Sequence, residues 1–339
     1  MSTSADTAVN ALRTSTDSAV RMGEQLEEIQ RELQADISWV ESALRSAAAE
    51  GTEPAANAAS HLVGLGGKRV RPAAVLLSAA CFGPIPAAAR ELAVVVELIH
   101  TATLLHDDVI DEGSERRGAE TARRIWGNAV SVLAGDALLV TSLERTLKHC
   151  PQLLTGLLDT LRRLVSGEVV QLRGRSQLDL SEPLYERILS DKTASLFRFA
   201  TASGAELAGA KPVQLEALGL FGERVGMAFQ LIDDVLDYTS LATGKTIGAD
   251  LIEGKVTLPL VLAARERPEV LRGVERVRAG ATDQIEVVRQ LVLATGACHA
   301  VRERALAETS AALRALECLP NSPARALLAQ IAQQVVTRT

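Results

Sequence analysis

Aromatic side chains are scarce in this sequence. Two Trp, two Tyr and five Phe make up 3% of its 339 residues. A core with so few rings must be built from Leu, Val, Ile and Ala, a composition typical of closely packed helices and unlike that of a β-sandwich. We therefore expect an all-α protein that folds as a single large helical bundle.

Cysteine is also rare and widely spaced. The nearest two of the four, Cys298 and Cys318, are 20 positions apart, which excludes the paired cysteines of a zinc or redox motif. The other two are Cys81 and Cys150. We expect all four to be reduced, buried thiols, as in a protein of the cytoplasm.

Long apolar runs and a surplus of positive charge are both absent. The longest uncharged stretch lies between Arg71 and Arg90, and the turn signal at residues 83–86 interrupts it, so no transmembrane helix is predicted. The 36 basic and 42 acidic residues leave a net charge of −6, which argues against a protein that coats nucleic acid. No secretory signal is recognisable, and we expect a cytoplasmic location.

The chain divides by composition into two parts. Residues 1–22 are rich in Ser, Thr and Ala and predict a mobile leader. From residue 23 to 339, apolar residues recur at spacings of three and four between turn signals, of which Gly174 is one. No internal repeat and no linker divides this part, so it is predicted to be one helical domain.

Three aspartates end an otherwise apolar, helix-like segment. Asp107 and Asp111 are four positions apart, so on a helix they share one face about one turn, ~5.4 Å, from each other. Asp108 is turned roughly 100° away from them. Such a pair can hold a divalent cation, although an isolated acidic cluster is more often a solvated helix end.

A second acidic cluster repeats the pattern. Asp233 and Asp237 are again four positions apart, with Asp234 between them, in a segment whose apolar residues predict burial. Two buried acidic clusters repel each other and raise their pKa values unless cations neutralise them. Mg²⁺ suits such a site, because it combines a few carboxylates with water and phosphate oxygens. The two clusters together therefore predict a metal-bridged diphosphate.

Basic residues supply partners for phosphate. The segment Gly66-Gly67-Lys68-Arg69-Val70-Arg71 joins a backbone that can approach an anion to three cations. Further cations follow the first cluster or lie in the second half: Arg116, Arg117, Lys192, Lys245 and Lys255. Arginine and lysine are the expected partners of phosphate oxygens, although each alone could equally be a surface cation.

Seven ordered blocks resemble the trans-isoprenyl diphosphate synthase, or polyprenyl synthetase, family. The resemblance extends from about Ala35 to the C-terminus. The blocks are GGKRVRP at 66–72, ELIHTATLLHDDVIDEGSERRG at 97–118, WGNAVSVLAGDALL at 126–139, GEVVQL at 167–172, DKTASLF at 191–197, FQLIDDVLDY at 229–238 and TGKTIGADLIEGKVTLPL at 243–260. One aspartate-rich block also occurs in terpene cyclases, but a second one favours chain elongation over cyclisation.

The resemblance implies a helical bundle around a central elongated cavity. The two aspartate-rich blocks would face each other across it and hold about three Mg²⁺ ions on an allylic diphosphate. The implied metal-site residues are Asp107, Asp108, Asp111, Asp233, Asp234 and Asp237. Of these, Asp107, Asp111 and Asp233 would be the principal ligands, and the others would support them or bind metal-bound water.

The resemblance also implies two substrate positions. The allylic diphosphate and its metal shell would contact Arg116, Lys192, Thr193, Gln230, Lys245 and Lys255. Isopentenyl diphosphate would bind against Gly67, Lys68, Arg71, His100 and Arg117. The three aspartates of the first aspartate-rich block, with Asp233, Lys192 and Lys245, would carry catalysis. Because the departing diphosphate takes up the proton, His100 would contact a diphosphate and would not act as a general base.

Product length in such enzymes depends on the helix segment before the first aspartate-rich block. Bulky side chains four and five positions before its first aspartate close the cavity in short-chain members, and here those positions hold Thr103 and Ala102. Residues 134–143 also contain no aromatic plug. The resemblance therefore implies a long-chain all-trans polyprenyl diphosphate, beyond C20 and toward C40, of the kind that serves as a quinone side chain.

Other assignments stay open at this point. The product could instead be farnesyl or geranylgeranyl diphosphate, or the chain could be a non-catalytic subunit of a heteromeric prenyl synthase. A di-iron carboxylate protein is disfavoured, because it needs two Glu-x-x-His motifs and the sequence contains one, at residues 97–100. Family members form homodimers, so we expect a homodimer, with at most transient membrane contact for an insoluble product.

Overall fold

The computed structural model describes residues 33–239 and 248–337. Helices dominate this part of the chain, and its strands are limited to one short antiparallel pair, which confirms the all-α prediction. The predicted leader, residues 1–22, and Lys245 lie outside the described residues.

The helices and strands are numbered in chain order. Their bounds are α1 (33–49), α2 (Ala55–Gly64), α3 (Val70–Ala80), α4 (Ala87–Ile110), β1 (Glu115–Arg116), β2 (Ala119–Glu120), α5 (Ala122–Trp126), α6 (Asn128–His149), α7 (Leu154–Gln177), α8 (Glu182–Ile188), α9 (Ser195–Leu207), α10 (Pro212–Thr239), α11 (Ala249–Ile252), α12 (Leu258–Glu266), α13 (Pro268–Arg278), α14 (Gln284–Ala294), α15 (Ala297–Ala315) and α16 (Pro323–Val336). Short 3₁₀ helices span Pro151–Leu153 and Leu316–Cys318, and a π-helix spans Leu189–Ala194.

Two long helices, α4 and α10, carry the two acidic clusters. The middle of α4, from Leu92 to Ile99, is buried throughout, and the helix packs against α6, α3 and α9. α10 packs against α9 and α15. Burying such long apolar faces is the main stabilising term in a helical core. Both acidic clusters lie at the C-terminal ends of these helices, where the apolar faces end.

A π-helix joins α8 to α9 and lies between two glycine-bearing helices. A Cβ on Gly167 of α7 would lie 2.7 Å from the backbone nitrogen of Lys192, and one on Gly226 of α10 would lie 2.7 Å from Cα of Ala194. Both distances are too short for any side chain. The two glycines therefore let α7 and α10 approach the π-helix closely, and π-helical turns often occur at functional sites.

Two local predictions are wrong. Gly174 does not mark a turn but lies buried within α7, where a Cβ would meet Leu184 Cδ2 of α8 at 2.9 Å, so its role is close helix packing. Cys318 is exposed, whereas Cys81, Cys150 and Cys298 are buried and free as expected.

Across the residues that the structure describes, no helix combines the length and the apolar character needed to cross a membrane.

Candidate active site

The first acidic cluster lies in the last turn of α4. Asp107 and Asp111 line a cavity of about 210 Å³. Asp108 is buried behind them, and its Oδ1 accepts hydrogen bonds from Arg116, at 2.8 Å from Nε and 2.7 Å from Nη2. Burial raises the pKa of Asp108 despite this ion pair. Asp108 and Arg116 therefore form a support beneath the two cavity-lining carboxylates.

One aspartate of the second acidic cluster, on α10, reaches the same cavity. Asp234 lines it, and its two oxygens accept hydrogen bonds from the Tyr185 hydroxyl at 2.7 Å and from Gln230 Nε2 at 2.9 Å. Burial, together with the charge of Asp250, raises the pKa of Asp234 to about 7. Asp237 Oδ2 accepts a hydrogen bond from the backbone N–H of Asp250 at 3.3 Å and so anchors α11. This bonding suits supporting roles for Asp234 and Asp237.

Lysine side chains hold the cavity-lining carboxylates of α4. Lys192 Nζ contacts Glu168 and lies 3.7 Å from Asp107 Oδ2. Lys255 Nζ lies 2.9 Å from Asp111 Oδ2. Burial alone would lower the pKa of Lys255, but the carboxylates of Asp250, Asp111 and Glu253 raise it overall. The lysines place positive charge beside acidic side chains that would otherwise repel one another.

The donor set fits a divalent cation that also binds phosphate. Ammonium groups stand beside Asp107 and Asp111, where positive charge is required. Within residues 33–239 and 248–337, no three acidic, His or Cys side chains converge on one point. A small hard ion such as Mg²⁺ needs one or two carboxylates and completes its shell with water and phosphate oxygens. Asp107 and Asp111, with Asp234 of the second cluster in the lining of the same cavity, match that requirement.

Thr193 and Gln230 lie together in the wall of this cavity. The Thr193 hydroxyl donates to Gln230 Oε1 at 3.1 Å, and Gln230 in turn donates to Asp234. This chain of hydrogen bonds couples the π-helix to the second acidic cluster. It also orients the Gln230 amide, because each end of the amide has a defined partner.

Replacing Gly167 with Ala is expected to misplace Lys192. The new Cβ would lie 2.7 Å from the Lys192 backbone nitrogen and 3.1 Å from Asp191 Cβ, so the π-helix must shift. We expect a loss of about 1–3 kcal/mol of stability from overpacking and at least a tenfold loss of activity. Gly156→Ala on the same helix is the matched control, since its nearest neighbour is Phe199 Cε2 at 3.6 Å. Urea unfolding and turnover of both variants test this, and equal behaviour of the two would contradict it.

A second, basic group of side chains lies around His100 of α4. The Arg71 guanidinium stacks 4.5 Å over the Phe197 ring, and in the described part of the chain its buried Nε has no hydrogen-bond partner. Desolvation lowers the pKa of Arg71 to about 10, opposed by the carboxylates of Glu97 and Asp233. Burial and the charges of Arg71 and Arg117 hold the pKa of His100 well below its usual value.

A glycine-rich loop, residues 66–69, lies beside this basic group. A Cβ on Gly67 would come within 3.1 Å of Arg117 Nη2, so the loop backbone and Arg117 are neighbours. Lys68 is exposed beside them. The structure thus brings the five predicted isopentenyl-binding residues to one region. His100 is neutral there and is surrounded by cationic side chains.

The sequence did not predict the ion pairs and hydrogen bonds that support these groups, and it assigned Arg69 to phosphate instead. Arg69, with a left-handed φ of 48°, is buried and donates to Glu41 Oε1 at 2.6 Å and to Glu97 Oε1 at 2.7 Å, which ties α1 and α4 to the glycine-rich loop. Tyr185 and Glu168 were missed as well. A charged Glu97 in the middle of an apolar helix was a signal for a buried ion pair. Tyr185 had no comparable signal.

The positions implied to set product length lie below the charged groups. Ala102 is fully buried and Thr103 is half-buried. Leu104 lines the cavity, whereas Ala102, Thr103 and residues 134–143 do not. The open cavity floor therefore stays a prediction.

Comparison with known proteins agrees with this geometry. A family model described as polyprenyl synthetase matches residues 52–294. An all-trans-nonaprenyl-diphosphate synthase (geranyl-diphosphate specific) of Rhodobacter capsulatus is 42% identical over 284 residues, covering 82% of this chain and 87% of that protein. An octaprenyl diphosphate synthase of Escherichia coli is 38% identical over 285 residues, covering 82% and 88%.

A solved structure supports the same relationship. A polyprenyl synthase from Caulobacter crescentus, in complex with calcium and isoprenyl diphosphate, superimposes with a TM-score of 0.86 and 37% identity, covering 92% of this chain and 97% of that one. The family model, the relatives and the solved structure together show that the chain belongs to the polyprenyl synthetase family.

Proposed function

We propose that this chain is a long-chain prenyltransferase. It condenses isopentenyl diphosphate with an allylic diphosphate, releases diphosphate and builds an all-trans polyprenyl diphosphate. One observation carries the proposal: Asp107, Asp111 and Asp234 line one cavity together with Lys192 and Lys255, whose ammonium groups lie beside Asp107 and Asp111. That arrangement suits a diphosphate held through metal ions and cations at once.

The reaction breaks the carbon–oxygen bond of the allylic diphosphate and forms a carbon–carbon bond. Bound Mg²⁺ would supply charge neutralisation for the departing diphosphate. Lys192, Lys255 and Arg116 add fixed positive charge on the same side, which stabilises the leaving group as the allylic carbocation forms. The double bond of isopentenyl diphosphate attacks that cation, and the proton then lost passes to the diphosphate. No side-chain base is needed for this step.

Isopentenyl diphosphate binds at the basic group around His100. Arg71 and Arg117 supply charge, and Lys68 adds a third cation at the exposed edge. A neutral His100 can donate one hydrogen bond to a phosphate oxygen without adding a buried charge. This explains why a histidine is tolerated among several arginines.

A long product is supported by the relatives and by the small side chains below the first cluster. Similar proteins are named as nonaprenyl and octaprenyl diphosphate synthases. In short-chain members of the family a bulky side chain at this position closes the cavity, whereas Ala102 is small. The alternative of a non-catalytic subunit is disfavoured, because acidic and basic groups of both substrate positions are present and mutually arranged.

We infer a homodimer from an exposed apolar face on α6 and α7. Large side chains recur there at seven-residue spacing, so they lie on one side of each helix. The side chains are Leu133, Val140 and Leu147 on α6 and Leu158, Val165, Val169 and Leu172 on α7, with exposed fractions of 38% to 64%. Apolar patches of this kind mark interaction surfaces. We further propose a cytoplasmic location, with at most transient membrane contact when the insoluble product is released.

The double variant Val140→Glu/Val165→Glu is expected to be monomeric. Two carboxylates on this face cannot be buried against a partner without a large desolvation cost. Size-exclusion chromatography with light scattering measures the mass. Val213→Glu, at a site on α10 that is 66% exposed and outside the face, is the matched control and should keep the dimer. A dimeric double variant would show that the face is not the interface.

Transfer of label tests the proposed activity. Purified protein is incubated with labelled isopentenyl diphosphate and farnesyl diphosphate, and the label in organic-extractable material after dephosphorylation is counted. We expect incorporation with Mg²⁺, none with a chelator, and recovery when Mg²⁺ is restored. No incorporation under any condition would favour the non-catalytic subunit.

A further inference from the structure

Arg175 lies beside the first acidic cluster but belongs to none of the seven sequence blocks. It occupies the last turn of α7 and lines the cavity. Its Nη1 lies 3.2 Å from Asp111 Oδ1, while Lys255 holds the other oxygen of the same carboxylate at 2.9 Å. Asp111 is therefore held by two cations from two different segments.

Local packing fixes Arg175 next to Lys255. A Cβ on Gly254 would lie 3.3 Å from Arg175 Nε and 3.5 Å from its Cγ, so the arginine stem packs over the bare backbone of that glycine. Lys255, the next residue, donates its backbone N–H to the Asp250 carbonyl at 2.8 Å. The guanidinium and the ammonium group consequently point into the cavity from one corner.

The two cations differ in what holds them. Lys255 has three carboxylates around it, those of Asp111, Asp250 and Glu253. Arg175 forms one ion pair within residues 33–239 and 248–337, and that pair is with Asp111. If a divalent cation takes the Asp111 carboxylate, Lys255 keeps two acidic partners, whereas Arg175 loses its own. A half-buried guanidinium without a counter-charge needs another anion.

We propose that Arg175 is a further diphosphate-binding residue, which pairs with Asp111 and transfers to the diphosphate when a metal ion binds that carboxylate. This inference rests on the proposed function. The planar fork of an arginine matches two phosphate oxygens at once, which a lysine at the same place cannot do. Metal binding at Asp111 thereby frees Arg175 to add its positive charge to the diphosphate leaving group.

Replacing Arg175 is expected to affect metal binding and diphosphate binding differently. Arg175→Gln removes the competitor for Asp111, so Mn²⁺ alone should bind as tightly as in the wild type or more tightly. The same variant should bind inorganic diphosphate in the presence of Mg²⁺ at least about tenfold more weakly, as expected for loss of a charged hydrogen bond. Arg175→Lys should recover part of that loss. A merely structural ion pair would weaken both affinities together or neither.

Calorimetry with inorganic diphosphate and Mg²⁺, and Mn²⁺ binding followed by electron paramagnetic resonance, measure the two affinities. Arg173→Gln is the matched control, since Arg173 is exposed two residues earlier on the same helix, on a different side of it. Its affinities should equal those of the wild type, and thermal unfolding should show that all variants fold. In turnover, Arg175→Gln should raise KM for the allylic diphosphate.

Each outcome separates this inference from the proposed function. Wild-type protein that binds diphosphate with Mg²⁺, together with an Arg175→Gln affinity within twofold of it, would overturn the role of Arg175 and leave the function intact. Wild-type protein that binds no diphosphate with Mg²⁺ would overturn both.

Discussion

Asp107→Asn is expected to lower kcat for prenyl transfer by about a thousandfold, which corresponds to roughly 4 kcal/mol of lost transition-state stabilisation. Asp107 lines the cavity and lies 3.7 Å from Lys192 Nζ. The substitution keeps the shape of the side chain and removes its negative charge. A metal-bridged diphosphate then loses one of its anchors on α4, while the fold stays unchanged.

Asp159→Asn controls for the loss of one carboxylate. Asp159 is exposed on α7, where it pairs with Arg162. A surface pair of this kind contributes at most about 1 kcal/mol, so activity and stability should stay close to wild type. In Asp107→Asn, both the turnover rate at saturating Mg²⁺ and the affinity for Mn²⁺ should fall. Retention of more than a tenth of wild-type kcat would show that Asp107 is not a principal ligand.

The second large effect concerns product length. Ala102→Phe should shorten the product to about C20 or less, because each isoprene unit advances roughly one helical turn, ~5 Å, along α4. Ala102 is fully buried and lies five residues before Asp107. The family resemblance implies that a bulky side chain at this position closes the cavity, although Ala102 itself does not line it. Chromatography of dephosphorylated products measures the shift, while the initial rate of label incorporation should change less.

Overpacking at a buried alanine costs about 1–3 kcal/mol, so a second variant keeps the test sharp. Thr103→Phe places the ring about 40° from Asp107 around the helix, at a half-buried position, and should shorten the product as well. Ala300→Phe on α15 is the control, because Ala300 is exposed and does not line the cavity. Wild-type product length in both Ala102→Phe and Thr103→Phe would refute the cavity-floor hypothesis.

Local pattern was enough to predict the helical class and the acidic clusters. The spacing of Asp107 and Asp111 reports directly on a shared helix face, and the structure places both on the cavity wall. The distinction within the second cluster depends on tertiary packing. Asp234 lines the cavity because Tyr185 of α8 and Gln230 hold its carboxylate there. No spacing rule connects residues 185 and 234.

Glycines show the same limit of local reasoning. Gly174 resembles a turn signal, yet it lies within α7 because α8 packs against it. Gly167 likewise serves contact with the π-helix. A helix glycine lowers helix propensity by about 1 kcal/mol, and a tertiary contact offsets that cost here.

Arg69 was predicted as part of a phosphate-facing basic segment, but Glu41 and Glu97 bind its guanidinium.

The most direct test of the central claim is the length distribution of the product. Purified protein with labelled isopentenyl diphosphate, farnesyl diphosphate and Mg²⁺ is sampled over time, and the dephosphorylated prenyl alcohols are separated by chromatography. The account predicts a ladder of intermediates that ends at a defined length beyond C20 and disappears when a chelator is added. Products that stop at C20 or below, or label that never leaves isopentenyl diphosphate, would contradict a long-chain prenyltransferase.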